Sequence, residues 1–477
     1  MKSILGKSRL FRMRTVLLLG AAILLSIPAS SQEIRNGANP HDQLVRDIFR
    51  ELIEINTTDT PAGDNTRAAE AMAERLRSAG FAESDVRVLG PHPKKGNLVA
   101  RYRGTGKRKP LLLLAHLDVV EALPEDWSVD PFKLLERDGY FYGRGSTDDK
   151  SMAAIWVATF IRFKQEGFSP DRDLILALTS DEEVVSPYNG VEWLLKNHRE
   201  LIEAEAALNE GGGGQLKSGR NLLNTVQASE KVYQSFRLEV KNPGGHSSRP
   251  TRDNAIYELA EGLTRVSRHD FPVSLNEITR AFFEKMAALQ TGQMAEDYRA
   301  VTRRSPARDA VIRLSRAPYE NALIRSTCVP TLLEGGHAEN ALPQTAKATV
   351  NCRILPGESP AEVQSTLVRV LNNNKISVTP VSAAMPSAPS PLSKEIMGPI
   401  EKVTSEMWPG VPVIPVMSTG ATDGLYLRNA GIPTYGVSGL FGDVDDNRAH
   451  GQDERIGVKQ FYEGREFLYR LVKALSS

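Results

Sequence analysis

Along the chain, short unbroken apolar runs alternate with stretches where apolar residues recur every third or fourth position. Residues 41–55 place Leu44, Val45, Ile48, Leu52 and Ile53 on one helical face. A second helix over 66–79 stops at Gly80, which supplies the left-handed residue common after a helix. Four consecutive leucines within 109–115 suit a strand buried on both faces. The spacing then predicts a helix over 150–166 closed by Gly167, a strand over 173–179, a helix over 190–197 and a strand over 204–208. Strands alternating with helices imply an α/β layer around a largely parallel sheet.

From about Tyr233 the pattern changes. Residues 234–240 alternate apolar and polar side chains, the mark of a half-exposed antiparallel strand. A helix over 253–267, a long polar helical stretch over 275–316, strand-like runs over 324–333 and 347–354, a helix over 359–373 and a strand over 376–381 follow. These read as a separate two-layer α+β unit inserted into the first domain. After Ser387-Ala388-Pro389-Ser390-Pro391 the α/β pattern resumes, with strands over 414–417 and 434–437 and a closing helix over 458–475. The expected division is therefore 32–231 and 386–477 for one domain, with 232–385 inserted between them.

Composition adds a leader. The 477 residues exceed one ordinary hydrophobic core, and 41% hydrophobic with 25% charged residues fits a soluble globular chain. Lys2, Lys7, Arg9, Arg12 and Arg14 precede an apolar run over 16–27 and then Pro28-Ala29-Ser30-Ser31. That run is shorter than the ~20 residues needed to span a membrane. A basic start, a short apolar run and an Ala-x-Ser site read as a secretory signal over 1–31, so the mature chain is expected in the periplasm or outside the cell, with no membrane span. Losing those five basic residues would swing the formal charge from +1 to −4, which is no footprint for nucleic acid. Cys328 and Cys352 lie in successive strand-like runs that could pair antiparallel; a disulfide and two half-buried thiols are both compatible with this.

The polar residues that interrupt the apolar pattern sit at strand ends. His116 and Asp118 follow the leucine strand, Asp181, Glu182 and Glu183 follow the next, and Glu210 follows the third. Ligands of open α/β sheets bind beyond the carboxyl ends of strands. Imidazole and carboxylate converging on one rim is a ligand mixture that zinc and similar divalent ions accept. Asp118 is placed to receive the second ring N–H of His116. Taken alone, Asp148 is an ordinary acid at a helix start, and the glutamate pair a solvated loop.

His116-Leu117-Asp118-Val119-Val120, Gly143 to Lys150, Asp181-Glu182-Glu183, Asn209-Glu210-Gly211 and the late His450 occur in this order. Together they resemble the co-catalytic zinc metallopeptidase family of aminoacylase, glutamate carboxypeptidase, carboxypeptidase S and succinyl-diaminopimelate desuccinylase. The texture is most similar to the carboxypeptidase S branch. The resemblance implies a zinc-exopeptidase-like α/β fold, with a mixed, mostly parallel sheet flanked by helices and an inserted ferredoxin-like α+β lid. It implies two divalent metal ions, zinc first, with Asp148 bridging them, His116 and Glu210 completing one and Glu183 and His450 the other. Glu182 would be the general base. His246, in Gly244-Gly245-His246-Ser247-Ser248, would reach an active site to contact the substrate carbonyl. Asn340 and Arg353 would bind a carboxylate of the substrate, and Gly420 would contact the substrate from a turn. The substrate would be a small peptide or an N-acyl amino acid, and the lid would form a homodimer. Ser151 departs from the family's usual glycine, and 275–316 is longer than in its simplest members.

Two other function classes fit less well. No Gly-x-Ser-x-Gly elbow supports a serine hydrolase. An exported binding protein on the same fold is the alternative, although it would be expected to lack part of the ligand set or the base.

Overall fold

The leucine strand lies at the centre of the sheet. In the computed structural model, which describes residues 39–477, it spans Arg108–His116, and Leu111 to Leu114 are all buried. Strands Arg172–Thr179 and Ala206–Asn209 flank it, both parallel to it. Side chains alternate across a strand, and here each side meets its own core. Leu111 and Leu113 join a large cluster with helices Pro40–Glu54, Asn65–Ser78, Lys150–Glu166 and Val458–Leu475. Leu112 and Leu114 join a smaller one with helix Gly190–Asn197 and with Leu427. Covered on both faces, the strand has no need of polar positions, which is why it reads as a continuous apolar run.

Thr434–Gly436 extends the parallel order beside Ala206–Asn209. Antiparallel strands complete the two sides, Asn97–Tyr102 and Val86–Leu89 on one, Arg220–Glu230 and Gly214–Lys217 on the other. Val413–Ser418 pairs in parallel with Arg220–Glu230. The sheet is thus mixed, with a parallel centre. Helix Asn65–Ser78 starts at Asp64, whose carboxylate accepts Arg67 N–H at 3.2 Å. Helix Lys150–Glu166 is buried over most of its surface and ends at Gly167, with φ +63°.

A second, four-stranded antiparallel sheet contains Val232–Lys241, Thr327–Gly335, Thr345–Ile354 and Ile376–Pro380. With helices Ala255–Ser267 and Pro360–Leu371 the chain order is β-α-β-β-α-β, and the first and third strands lie in the middle, a ferredoxin-like arrangement. Thr345–Ile354 alternates buried and half-buried side chains without a break, and its buried side packs with Phe236, Leu238 and Leu259. Cys328 and Cys352 are opposed in the register and joined by a disulfide.

The expected single helical stretch over 275–316 is three helices, Glu277–Leu289, Gly292–Val301 and Arg308–Leu314, followed by Pro318–Ile324. Asn276 and Thr279 cap the first reciprocally, and Pro306 falls in the loop before the third. Phe282, Phe283, Tyr298 and Ile324 pack into the large core of the first sheet, not into that of the second. Residues Pro40–Ser477 form one compact unit. The expected secretory signal over 1–31 lies outside the described residues.

Candidate metal centre

Three parallel strands deliver polar residues to one rim. His116 is the last residue of its strand, Asp181 to Glu183 follow Arg172–Thr179, and Glu210 follows Ala206–Asn209. His450 comes from the far end of the chain. Strand Arg455–Gly457 pairs with Tyr140–Tyr142, which leads directly into the Gly143 to Lys150 loop, so the turns carrying His450 and Asp148 lie side by side.

The Asp148 carboxylate stands between two imidazoles. Its Oδ1 is 2.9 Å from His116 Nε2, and its Oδ2 is 3.2 Å from His450 Nε2. His450 Nε2 is also 3.0 Å from Glu183 Oε1. Ligand atoms of His116, Asp148 and Glu183 all fall within 4.8 Å of one another. Glu210 borders the same cavity as Asp148 and Asp149.

Asp118 acts differently from the expectation. His116 Nδ1 meets the Asp118 backbone carbonyl at 2.9 Å, while the nearer carboxylate oxygen is 3.7 Å away. That carboxylate accepts the N–H groups of Glu182, at 3.2 Å, and Glu183, at 2.9 Å. A carbonyl can only accept, so Nδ1 carries a proton, and Nε2 is the ring nitrogen turned toward Asp148. Asp118 therefore holds the imidazole with its backbone and the glutamate loop with its side chain.

Charge in this pocket is unbalanced. Burial, reinforced by Asp423, Asp118 and Glu183, pushes the Glu182 carboxyl well above the usual range, although His116 opposes it. Burial and the charges of Glu182 and Asp148 do the same to Glu210. Asp149 is likewise raised by burial, and its Oδ2 is buried with no hydrogen-bond partner. Burial works in the same direction on Asp148, but hydrogen bonds from His116 and His450 hold its carboxyl well below the ordinary value. The bonds that His450 donates to Asp148 and Glu183 in turn push its imidazole up to about 10. Imidazole nitrogens and a surplus of buried carboxyl groups form a donor set that fits divalent cations.

The remaining predicted site residues sit on other elements. His246 is on the exposed two-residue strand Gly245–His246, paired with Ala341–Leu342, and its Nδ1 accepts Ser248 N–H at 3.1 Å. Asn340 directly precedes that partner strand, and its carbonyl accepts Ser247 N–H at 3.0 Å. Arg353 is half-buried on Thr345–Ile354, its guanidinium 4.7 Å from the centre of the Tyr233 ring. Gly420 lies in the turn after Val413–Ser418 and donates to Ser418 Oγ at 3.0 Å. Among the described residues, no hydrogen bond or ion pair joins these four to the ligand cluster. The structure also adds Asp423, which the sequence reading passed over. It is buried, accepts from Asn189 Nδ2 at 2.6 Å and Thr179 Oγ1 at 3.3 Å, and burial pushes it up to about 7. It lies in the turn beyond strand Val413–Ser418, a place in the chain that points to the rim without revealing its partners.

The sequence pattern of Peptidase family M20/M25/M40 matches residues 112–474. The chain belongs to that family. The human N-fatty-acyl-amino acid synthase/hydrolase PM20D1 is 29% identical over 76% of this chain and 74% of its own length. The Dictyostelium discoideum probable carboxypeptidase S-like 2 is 28% identical over 79% of this chain and 74% of its own. Among solved structures, the M20 family metallo-carboxypeptidase Sso-CP2 of Sulfolobus solfataricus superposes with a TM-score of 0.67 at 19% identity, covering 90% of this chain and 99% of that one. As an M20 peptidase or amidohydrolase the chain is an enzyme.

Proposed function

We propose that this M20 enzyme is an exported amidohydrolase that uses two divalent metal ions, zinc first, to cleave the amide bond of an N-acyl amino acid or a peptide. The observation that carries this reading is the Asp148 carboxylate, with one oxygen facing His116 and the other His450. Asp148 would be shared between two cations, with His116 and Glu210 holding one and Glu183 and His450 holding the other.

When bound, two divalent cations polarise a scissile carbonyl and lower the pKa of a water beside them. Glu182 takes the proton from that water and later delivers it to the leaving amine; its raised carboxyl suits both tasks. His246 accepts at Nδ1, so its Nε2 carries a hydrogen that can be given to the carbonyl oxygen, where negative charge develops. Arg353 can hold the substrate carboxylate with two parallel bonds, with Asn340 and Gly420 as further contacts. The second sheet and its ribbon, which carry His246, Asn340 and Arg353, form the lid in this reading.

A cavity of about 640 Å³ opens beside Asp148, Asp149 and Glu210 and runs past Met152, Leu216 and Phe441. Its volume is that of an ordinary ligand pocket. It favours an N-acyl substrate whose acyl chain extends away from the metals, and the name of the human relative supports the same class. The basic start and short apolar run support export. The exposed edge strand Thr327–Gly335 supports a homodimer formed through the lid.

The deciding experiment combines metal analysis with hydrolysis assays on N-acyl amino acids of increasing chain length and on dipeptides. Two equivalents of divalent metal, activity lost on chelation and restored by zinc, and a rise in kcat/KM with acyl length are expected. Stoichiometric metal without turnover on either class would favour an exported binding protein instead.

A further inference from the structure

Between His450 and strand Arg455–Gly457 lies Glu454, whose side chain is 1% exposed. Its carboxylate accepts five hydrogen bonds from one short loop. Oε2 takes Arg144 Nη1 at 2.7 Å and Gly145 N–H at 3.0 Å. Oε1 takes Thr147 N–H and Thr147 Oγ1, both at 2.7 Å, and Asp148 N–H at 3.2 Å. Backbone N–H groups of Gly145, Thr147 and Asp148 are thereby tied to one buried charge.

Arg144 ties the other side. Its Nη2 donates to the carbonyls of His450 at 3.4 Å and Gly451 at 3.1 Å, and its guanidinium lies 5.0 Å from the centre of the Trp127 ring. His450 has φ +62°, a conformation that a residue with a side chain adopts only when its surroundings impose it. Arg144 holds the carbonyls of that residue and the next, and Asp453 in the same turn accepts from Ser128 N–H and Oγ.

We propose that Glu454 and Arg144 are positioning residues: their buried ion pair sets the separation of Asp148 and His450 before any cation binds. Neither group reaches the substrate. They act by fastening two turns that are about three hundred positions apart in sequence, so that the bridging carboxylate and the distal imidazole face each other. The inference rests on the reading of Asp148 and His450 as metal ligands. Groups that orient ligands in this way typically account for roughly 10–100-fold in metal affinity.

The test uses the full chain with Glu454→Gln, and a second variant, Arg144→Met with Glu454→Gln, that leaves no buried charge unpaired should the first fail to fold. Zinc affinity is measured by chelator competition, and melting temperatures are taken for the metal-free and zinc-loaded protein. The expected result, read on the double variant, is a metal-free melting temperature close to the parent's, a tenfold or greater loss of zinc affinity and a smaller melting shift on zinc addition; Glu454→Gln alone, which leaves Arg144 buried and unpaired, lowers the melting temperature as well. At saturating zinc, kcat falls while KM stays within about twofold. Zinc affinity within twofold of the parent, or equal destabilisation of both forms, overturns the proposal. Asp148→Asn serves as the control: if it too retains parental zinc affinity, the ligand reading itself fails, and the inference with it.

Discussion

Glu182 and Glu183 are adjacent in sequence, yet their surroundings separate them. Glu183 Oε1 faces His450, whereas the Glu182 carboxyl sits among acids with its proton affinity raised. Asp118 holds both backbone N–H groups, so the two side chains diverge from a fixed base. If Glu182 moves protons and His116 holds metal, their variants must fail differently. Glu182→Gln should retain the parent's metal content while turnover falls by roughly 10²–10⁴-fold, whereas His116→Ala should lose metal and activity together. Elemental analysis beside steady-state kinetics checks this, and equal metal loss in both variants would contradict the assigned roles.

At the scale of elements, the crossing between the two sheets passes through Lys231, between strands Arg220–Glu230 and Val232–Lys241. Its amine is buried and donates to the Arg325 carbonyl at 2.7 Å. Burial, helped by Arg353 and opposed by Glu358, pulls it down to about 7. From pH 7.5 to 9.5 an unfolded chain would hold a proton on this lysine that the folded chain lacks, so its contribution raises stability as pH rises. One such group gives a slope of at most about 1.4 kcal/mol per pH unit. Denaturation curves across that window should be steeper in pH for the parent than for Lys231→Met; equal slopes would show that the amine titrates normally. The strand before this lysine also shows what hydropathy could not reveal. Asn224, Thr225, Gln227 and Ser229 are all buried there, with Asn224 donating to Thr404 Oγ1 at 3.0 Å and Gln227 to Glu230 at 3.1 Å. Polar side chains that find internal partners erase the apolar signature that made Arg108–His116 legible. The rim motifs were readable because each follows such an apolar strand, while Glu454 and Asp423 matter through partners more than two hundred positions away. The breaks that divide the helical stretch over 275–316 into three helices are hidden for a related reason. Their apolar residues face a core supplied by distant strands, which local spacing does not register.

For the whole molecule, the telling surface is the free edge of the second sheet. Val329, Leu332 and Leu333 on strand Thr327–Gly335 are 56%, 61% and 69% exposed, and Ile256 and Tyr257 on the adjacent helix are 43% and 59% exposed. A hydrophobic edge strand left open is a template for pairing with another chain, and proteins that remain monomeric usually blunt it with charge or proline. Pro330 is present, yet the two leucines beyond it face outward. A second copy pairing edge to edge would cover them and extend the four-stranded sheet across the interface. In such an assembly His246 would have a chemical role, because it makes no hydrogen bond to the candidate metal cluster of its own chain and could serve that of the other. Sedimentation of the parent at micromolar concentration should therefore give a dimer, and Leu332→Lys with Leu333→Lys should give a monomer. The monomer should keep its zinc and lose most of its turnover. A monomeric parent would remove the dimer, whereas a monomeric variant with full turnover would leave the dimer standing and return His246 to the site of its own chain.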